Sequence, residues 1–341
     1  MKIGIVGCGS VSAEHIKPLQ KISSCKIVAL CDVDKMKAKK TARQFSIADV
    51  YDNFSKLLDE KNPDVVHILT PPDTHKDLSI QAMEAGCHVL VEKPMAMNMK
   101  EAEDMIRVSK RCDVNIGVCH NFLFESAVIE ARELFTKGAL GKVTSIEIFW
   151  RIDRDGPASR YQTTQWIHDL HGGIFHEIAP HPVYLQMGFL NDLKVISACS
   201  GINKNGLLTK HDELRVLSEA DSGLASLTIS VNANPRQVFM RIYGTKMTLH
   251  IDLVSNLILK LRPIGPKKVS TTFINLDLSI QLFLKTILNA IRKICGRHTS
   301  GHFTFINKFY ENITKGKSPP VTGKEGKIVV SVLDQIWEKL Y

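Results

Sequence analysis

The sequence predicts an α/β chain of two domains, a parallel sheet over residues 1–122 and a domain built on an antiparallel sheet over 123–341. Three observations carry this. Strands and helices alternate through the first third. A glycine turn joins the first strand to the first helix, and an acid ends the second strand. After about residue 122, short strands that alternate apolar and polar residues follow one another directly. Alternation of strands with helices of 10–15 residues builds βαβ units, whereas consecutive alternating strands build an antiparallel sheet with one wet or partner-covered face. At about 100–200 residues per domain, 341 residues make two.

The elements follow in order. Lys2–Val6 and Lys26–Cys31 read as short apolar strands around a helix at Val11–Lys21, and Asp34–Phe45 and Asn53–Glu60 as polar helices. Asp64–Thr70 is a buried-type strand that stops at Pro71-Pro72. His75–Ala85 is a helix ended by Gly86, because glycine tolerates the left-handed angles of a helix C-terminus. His88–Val91, a helix at Lys100–Lys110 and a strand at Asn115–Cys119 complete the first domain. The second begins with a helix at Ser126–Lys137 and continues with strands at Lys142–Ile152, Lys194–Ser200, Glu213–Glu219, Leu224–Val231, Gln237–Tyr243, Met247–Ile251 and Leu257–Leu261. Leu278–Cys295 returns to helical period, and a last helix starts at Lys324.

Composition narrows the class. An apolar fraction of 44% excludes disorder, and 8 cysteines without a CxxC pair exclude a zinc ribbon or a thioredoxin motif. Scattered cysteines suit a reducing cytoplasm, the expected location. Ile5-Val6-Gly7-Cys8 has the look of a lipoprotein cleavage box, but the apolar run before it, Ile3–Val6, is far shorter than the roughly 7–15 residues of a signal peptide. The net charge of +9 resides in residues 256–317, where eleven Lys/Arg face only Asp277 and Glu311. No helix-turn-helix, RNP or zinc-finger pattern accompanies them, so a nucleic-acid partner is not expected. The helix at 278–295 is expected to lay its apolar stripe on the second domain's sheet and leave Lys285, Arg292, Lys293 and Arg297 in water. An anionic substrate or a membrane surface as its partner is the secondary alternative.

Three clusters can carry chemistry. Gly7-Cys8-Gly9-Ser10-Val11-Ser12 follows a strand and opens a helix. Gly7 permits the tight turn, Gly9 lets the backbone approach a pyrophosphate, and the helix N-terminus at Ser10 and Val11 offers N–H groups to phosphate. Asp32 ends the second strand, where a carboxylate accepts from ribose hydroxyls; it favours NAD and repels a 2′-phosphate, while Lys35, Lys37 and Lys39 leave NADP open. Thr70, Pro71, His75, Glu92 and Lys93 lie at the C-terminal ends of parallel strands, where ligands of such sheets bind. A lysine there, beside a cationic nicotinamide, is a candidate proton carrier. Taken alone, Glu92 and Lys93 read as readily as solvated loop residues. The third cluster runs from His168 to His181. Its spacing, HExxxH with proline at 180, fails the zinc-protease pattern. A metal held by His168, His171, His176 and His181 remains an alternative to a general base, His181, assisted by Glu177 on the same helical face.

Together these residues resemble the Gfo/Idh/MocA oxidoreductases, the family of glucose–fructose oxidoreductase and inositol dehydrogenase. The resemblance rests on the Gly7/Gly9 turn with its helix through His15, Asp32, Thr70-Pro71 with His75, Glu92-Lys93-Pro94, Trp166, Gly172-Gly173, His181 and Pro319-Pro320-Val321-Thr322-Gly323. It implies a Rossmann doubly wound domain and a C-terminal α/β domain with an open, mainly antiparallel sheet whose outer face serves a homo-oligomer, a dimer or tetramer. It also implies an NAD(P) cofactor, no metal, and hydride transfer at a carbinol carbon of a sugar, nucleotide sugar or inositol. Lys93, His181 and Glu177 are the expected catalytic residues; Asn121, Trp166, His168 and Asp169 are expected on the substrate. Glu177 stands where the family has aspartate, and Ser12 where it has its third glycine or alanine. A redox-neutral NAD-dependent glycosidase and a non-catalytic NAD-binding sensor are the alternative functions.

Overall fold

The computed structural model describes residues 1–153, 165–202, 211–231, 234–262, 270–296 and 299–340. The chain divides into two compact units, Met1–Asn121 with Gly301–Ser331, and Phe122–Ser300 with Val332–Tyr341. The first crossing falls between Asn121 and Phe122, and residues 301–331 return to the first unit.

In the first unit, β1 (Lys2–Val6), β2 (Lys26–Cys31), β3 (Val50–Tyr51), β4 (Val65–Ile68), β5 (His88–Val91) and β6 (Ile116–Val118) form one parallel sheet. Between them run α1 (Ser12–Leu19), α2 (Lys35–Phe45), α3 (Phe54–Lys61), α4 (His75–Glu84) and α5 (Met99–Arg111). The strand order is β3-β2-β1-β4-β5-β6. It reverses between β1 and β4, the crevice where doubly wound sheets bind ligands. Ile3, Ile5, Val65, Val66, Ile68, Val89, Leu90 and Val91 are fully buried, as strands covered on both faces must be. Asp34, Asn53 and Asn98 cap α2, α3 and α5 by accepting first-turn N–H groups.

The second unit opens with α6 (Ser126–Thr136) and β7 (Val143–Arg151). Three short helices follow: α7 (Gln165–Asp169), α8 (Ile174–Ile178) and α9 (Pro180–Met187). Then come β8 (Lys194–Ile202), β9 (His211–Glu219), β10 (Leu224–Ser230), β11 (Gln237–Gly244), β12 (Thr248–Asp252), β13 (Leu257–Leu261) and α10 (Ser270–Ile294). Its seven-stranded sheet has the order β13-β12-β11-β7-β10-β9-β8. All pairs are antiparallel except β7 with β10. One face is buried through Ile146, Ile148, Trp150, Leu227, Ile229, Met240 and Ile242; the other carries half-exposed Glu147, Phe149, Phe239 and Arg241.

Two helices close the chain. α11 (Gly301–Thr314), in a stretch the sequence reading leaves unassigned, packs along α1 and buries Phe305, Ile306, Phe309 and Tyr310. A Cβ on Gly117 of β6 would lie 2.8 Å from the Phe309 ring, so glycine lets this helix close on the sheet. α12 (Gly323–Leu340) gives its first half to the first unit and its last residues to the second.

The helix at the edge of the second sheet reverses its expected orientation. α10 turns Ile274, Leu278, Gln281, Lys285 and Asn289 toward the protein and leaves its apolar residues exposed, among them Phe283 at 65% and Ile294 at 86%. Lys285 is therefore tucked in rather than left in water. Lys267, Lys268, Arg297 and His298, which the sequence places beside this helix, lie outside the described residues.

Candidate active site

The glycine loop of the first unit has the form its sequence demands. Gly7 has φ +93°, and a Cβ there would sit 2.6 Å from the Leu69 backbone of the neighbouring crossover. At Gly9 the space is open; a Cβ would meet only the Lys37 Nζ, at 3.9 Å. Ser12 is buried and bonds Gly9 O through its hydroxyl at 2.7 Å, so the residue replacing a third glycine braces the turn. Ser10 is exposed, Val11 half-buried, and no side chain caps α1. A cradle of open backbone at a helix N-terminus suits a diphosphate. Asp32 Oδ2 accepts the Cys8 N–H at 2.8 Å and Oδ1 the Asp34 N–H at 2.9 Å, so the carboxylate ties loop to strand end while keeping lone pairs for a ribose. Lys37 Nζ stands 3.8 Å from Asp32, and Lys35 pairs with Asp52. Burial pushes the thiols of Cys8 and Cys31 up, to about 12 and about 11, so both stay protonated.

Across the switch point, Thr70 and Pro71 are half-buried at the loop surface and His75 is fully buried beneath it. His75 Nε2 lies 2.8 Å from Thr70 O and Nδ1 2.9 Å from Pro94 O, so this ring straps the Thr70 loop to the Glu92-Lys93-Pro94 loop. Burial lowers its pKa. A neutral ring donates to one carbonyl at a time. The placement makes His75 a positioning residue.

Glu92 and Lys93 are buried, not solvated. Glu92 Oε1 meets His15 Nε2 at 2.9 Å, His15 Nδ1 meets His67 Nδ1 at 2.9 Å, and His67 Nε2 meets the Tyr310 hydroxyl at 2.8 Å. Burial works against the Glu92 charge, but the His15 hydrogen bond, with the electrostatics of His15, His302 and Lys93 in that order, outweighs it and holds the carboxyl well below its ordinary range. With Glu92 ionised, His15 donates to it from Nε2, and the His67 ring links His15 to the Tyr310 hydroxyl. His302 Nε2 stands 4.0 Å from Glu92 Oε1, and its Nδ1 is 3.4 Å from Asn121 Nδ2. Burial depresses His302 to about 4 and His120 to about 3, and lowers His67 strongly. His302, His120 and His67 are thus neutral, and Glu92 accepts the backbone N–H of Lys93 at 3.2 Å. Ligand atoms of His15, Glu92, Cys119 and His302 lie within 4.8 Å of one another, but hydrogen bonds already occupy both His15 nitrogens and Glu92 Oε1. The arrangement is a hydrogen-bonded carboxylate adjoining a buried lysine. Among its parts, His67, His302 and Tyr310 were not legible in the sequence.

In the second unit, Ala179 (φ −59°, ψ −28°) carries the helical path from α8 into α9, so Glu177 and His181 do fall one turn apart. Pro180 and Pro182 lack the N–H that would make the two helices one. His181 is half-buried in an aromatic box. It stacks on Trp150 (centroids 5.2 Å, 5°), meets Phe122 edge-on at 5.0 Å, and has Nδ1 2.8 Å from the Tyr184 hydroxyl. Tyr184, one turn beyond His181 on α9, is the orienting residue that the sequence reading passes over. Trp166, at 37% exposure, and Asp169 are exposed; His168 is half-buried. His176 is buried and stacks on Trp337 at 5.6 Å, and a Cβ on Gly172 would lie 2.6 Å from that indole. Gly172 and His176 therefore pack against Trp337, while His171 is exposed.

Comparison with known proteins agrees with this geometry. Residues 1–120 match the model described as oxidoreductase family, NAD-binding Rossmann fold, and residues 128–250 match the GFO/IDH/MocA C-terminal domain. Myo-inositol 2-dehydrogenase of Thermotoga maritima is 20% identical over 97% of this chain and 93% of its own. The fold is shared with scyllo-inositol dehydrogenase from Lactobacillus casei, solved with NAD(H) and scyllo-inositol (TM-score 0.79, 20% identity, 100% and 96% of the two chains). It is shared also with the WlbA dehydrogenase from Bordetella pertussis, solved with NADH and UDP-GlcNAcA (TM-score 0.81, 19% identity, 99% and 95%). With both halves matched in order, the chain belongs to the Gfo/Idh/MocA family of NAD-binding oxidoreductases.

Proposed function

We propose that this enzyme moves hydride between NAD and a carbinol carbon of a sugar, nucleotide sugar or inositol. The observation that carries the reading is Lys93, buried at the C-terminal edge of the parallel sheet next to Glu92, a carboxylate that the His15 hydrogen bond holds charged. Bound at the Gly7–Ser12 loop, with Asp32, Thr70 and Pro71 beside it, the nicotinamide cofactor supplies the hydride acceptor. In the proposal, His181 takes the hydroxyl proton and Lys93 donates a hydrogen bond to the developing alkoxide. Positioned acid–base groups of this kind contribute about 10²–10⁴-fold. Glu177, one turn before His181, polarises that histidine, while Asn121, Trp166, His168 and Asp169 hold substrate hydroxyls. The free state of all eight cysteines supports the cytoplasmic setting. Stacked Phe149 and Phe239 (5.1 Å) and exposed Leu217 and Leu224 on the wet face of the seven-stranded sheet support a homo-oligomer.

The test is NADH formation at 340 nm across inositols, free sugars and UDP-sugars. Net NADH with one class identifies the substrate. Glycoside cleavage without net NADH would instead assign the redox-neutral reaction.

A further inference from the structure

We propose that α10 is an interfacial helix that seats the enzyme on an anionic lipid surface. The first observation is how the helix is fastened. Among the described residues β13 is the last strand of its sheet, with no strand partner on one side of its backbone. Gln281 of α10 accepts the Lys260 N–H and donates to Lys260 O, both at 3.0 Å. Lys285 Nζ donates to Ile258 O at 2.6 Å, and Asn289 donates to Ser255 O and Asn256 O at 3.1 and 3.0 Å. Residues 281, 285 and 289 recur every fourth position, a single stripe along the helix. The polar stripe is therefore the protein-facing side, and it closes the sheet edge.

The opposite side is apolar without interruption. At 100° per residue, Phe273, Leu276, Ile280, Phe283, Leu284, Ile287, Ala290, Ile291 and Ile294 fill an arc of about 120° centred opposite that stripe. None of Phe273–Ile294 is buried, although the stretch is long and apolar enough to cross a membrane. A 25-residue helix is about 37 Å long, so the exposed face is a contiguous strip and not a set of scattered side chains.

Charge selects the occupant. Residues 260–297 hold Lys260, Arg262, Lys267, Lys268, Lys285, Arg292, Lys293 and Arg297 against the single acid Asp277; Lys260 and Lys285 pair with Glu130 at 2.7 and 3.7 Å, so the positive balance rests on the other six. A second copy of this helix would cover the strip but add further cations and no acid to match them, whereas an anionic headgroup layer complements the charge while the acyl boundary covers the apolar strip. Insertion across the bilayer is disfavoured, because it would strip Gln281, Lys285 and Asn289 from their carbonyl partners and carry Lys285 into hydrocarbon. The helix therefore lies in the plane of the interface, apolar face about 5–10 Å deep.

The full chain is sedimented with vesicles of phosphatidylcholine alone and of phosphatidylcholine mixed with phosphatidylglycerol. Binding to the mixed vesicles only is expected, reduced at about 1 M salt, where screening shortens to about 3 Å. F283S/I287S should lower the bound fraction about tenfold or more, and R292E/K293E should lower it too. Both should keep the thermal midpoint and the cofactor affinity of the unmodified chain. No pelleting on mixed vesicles, or equal pelleting on neutral ones, overturns the proposal. So does a dimer in sedimentation velocity that F283S/I287S dissociates while vesicles capture nothing; that outcome assigns the strip to a second copy.

Discussion

The Tyr184 hydroxyl lies 2.8 Å from Nδ1 of His181 and 3.2 Å from the backbone N–H of Phe122, which it accepts. One buried oxygen thus fixes both the ring of the proposed base and the wall it leans on. Tyr184→Phe should lower kcat about tenfold, the scale of one lost hydrogen bond in the transition state, and leave the NADH Kd unchanged. A loss confined to the thermal midpoint, with kcat intact, would reduce Tyr184 to a packing residue.

Lys93→Met and His181→Ala should each lower turnover on the substrate by about 10²-fold or more. Cofactor affinity, read by fluorescence titration with NADH, should change little. Near-normal turnover in either variant removes that residue from its role.

Asp32→Ala should act twice. Its loss removes the acceptor of the buried Cys8 N–H, a cost of about 1–3 kcal/mol in unfolding free energy. It also removes the charge that opposes a 2′-phosphate while Lys37 stays nearby, so the ratio of NAD to NADP affinity should fall. Urea denaturation and paired cofactor titrations read the two effects separately.

Stability should depend steeply on mild acid. His120 and His302 bind a proton only near pH 3 and 4 in the folded chain but near 6.5 when unfolded, and burial lowers His67 and His75 as well. The unfolded state therefore binds more protons below about pH 6.5. Stability is full above that value and lost as pH falls toward 4, by about 1.4 kcal/mol per pH unit for each such histidine. Thermal midpoints at pH 7.5 and 5.0 should differ by many degrees. H302Q should flatten the profile. A midpoint that is level from pH 7.5 to 5.0 would contradict neutral burial.

What the sequence showed and what it hid divide along a physical line. The Gly7 turn, Asp32 and the Glu92-Lys93-Pro94 loop were legible because each is local, a backbone angle or strand end encoded within a few residues. The hydrogen bonding around Glu92 was not. His67 is one polar position in an apolar strand, and Tyr310 meets it from 243 residues away. His302 and Tyr310 both ride on α11, a helix left unread. The order of strands was readable as a class, but the parallel pairing of β7 with β10 depends on which strand the chain revisits. For α10, helical spacing revealed two faces without saying which one meets the protein; the edge carbonyls of β13 decide that.

The return of Gly301–Ser331 to the first unit orders events during synthesis. When residue 121 leaves the ribosome, the nucleotide-binding half has its six strands but lacks Tyr310 to cap His67 and Phe309 to cover Gly117. It must wait for roughly two hundred further residues, about 10–40 s at 5–20 residues per second. During that delay the second unit can complete its sheet first. A stop codon before α11 should therefore yield a nascent chain whose amino-terminal half is protease-sensitive even though every strand of its sheet has been translated.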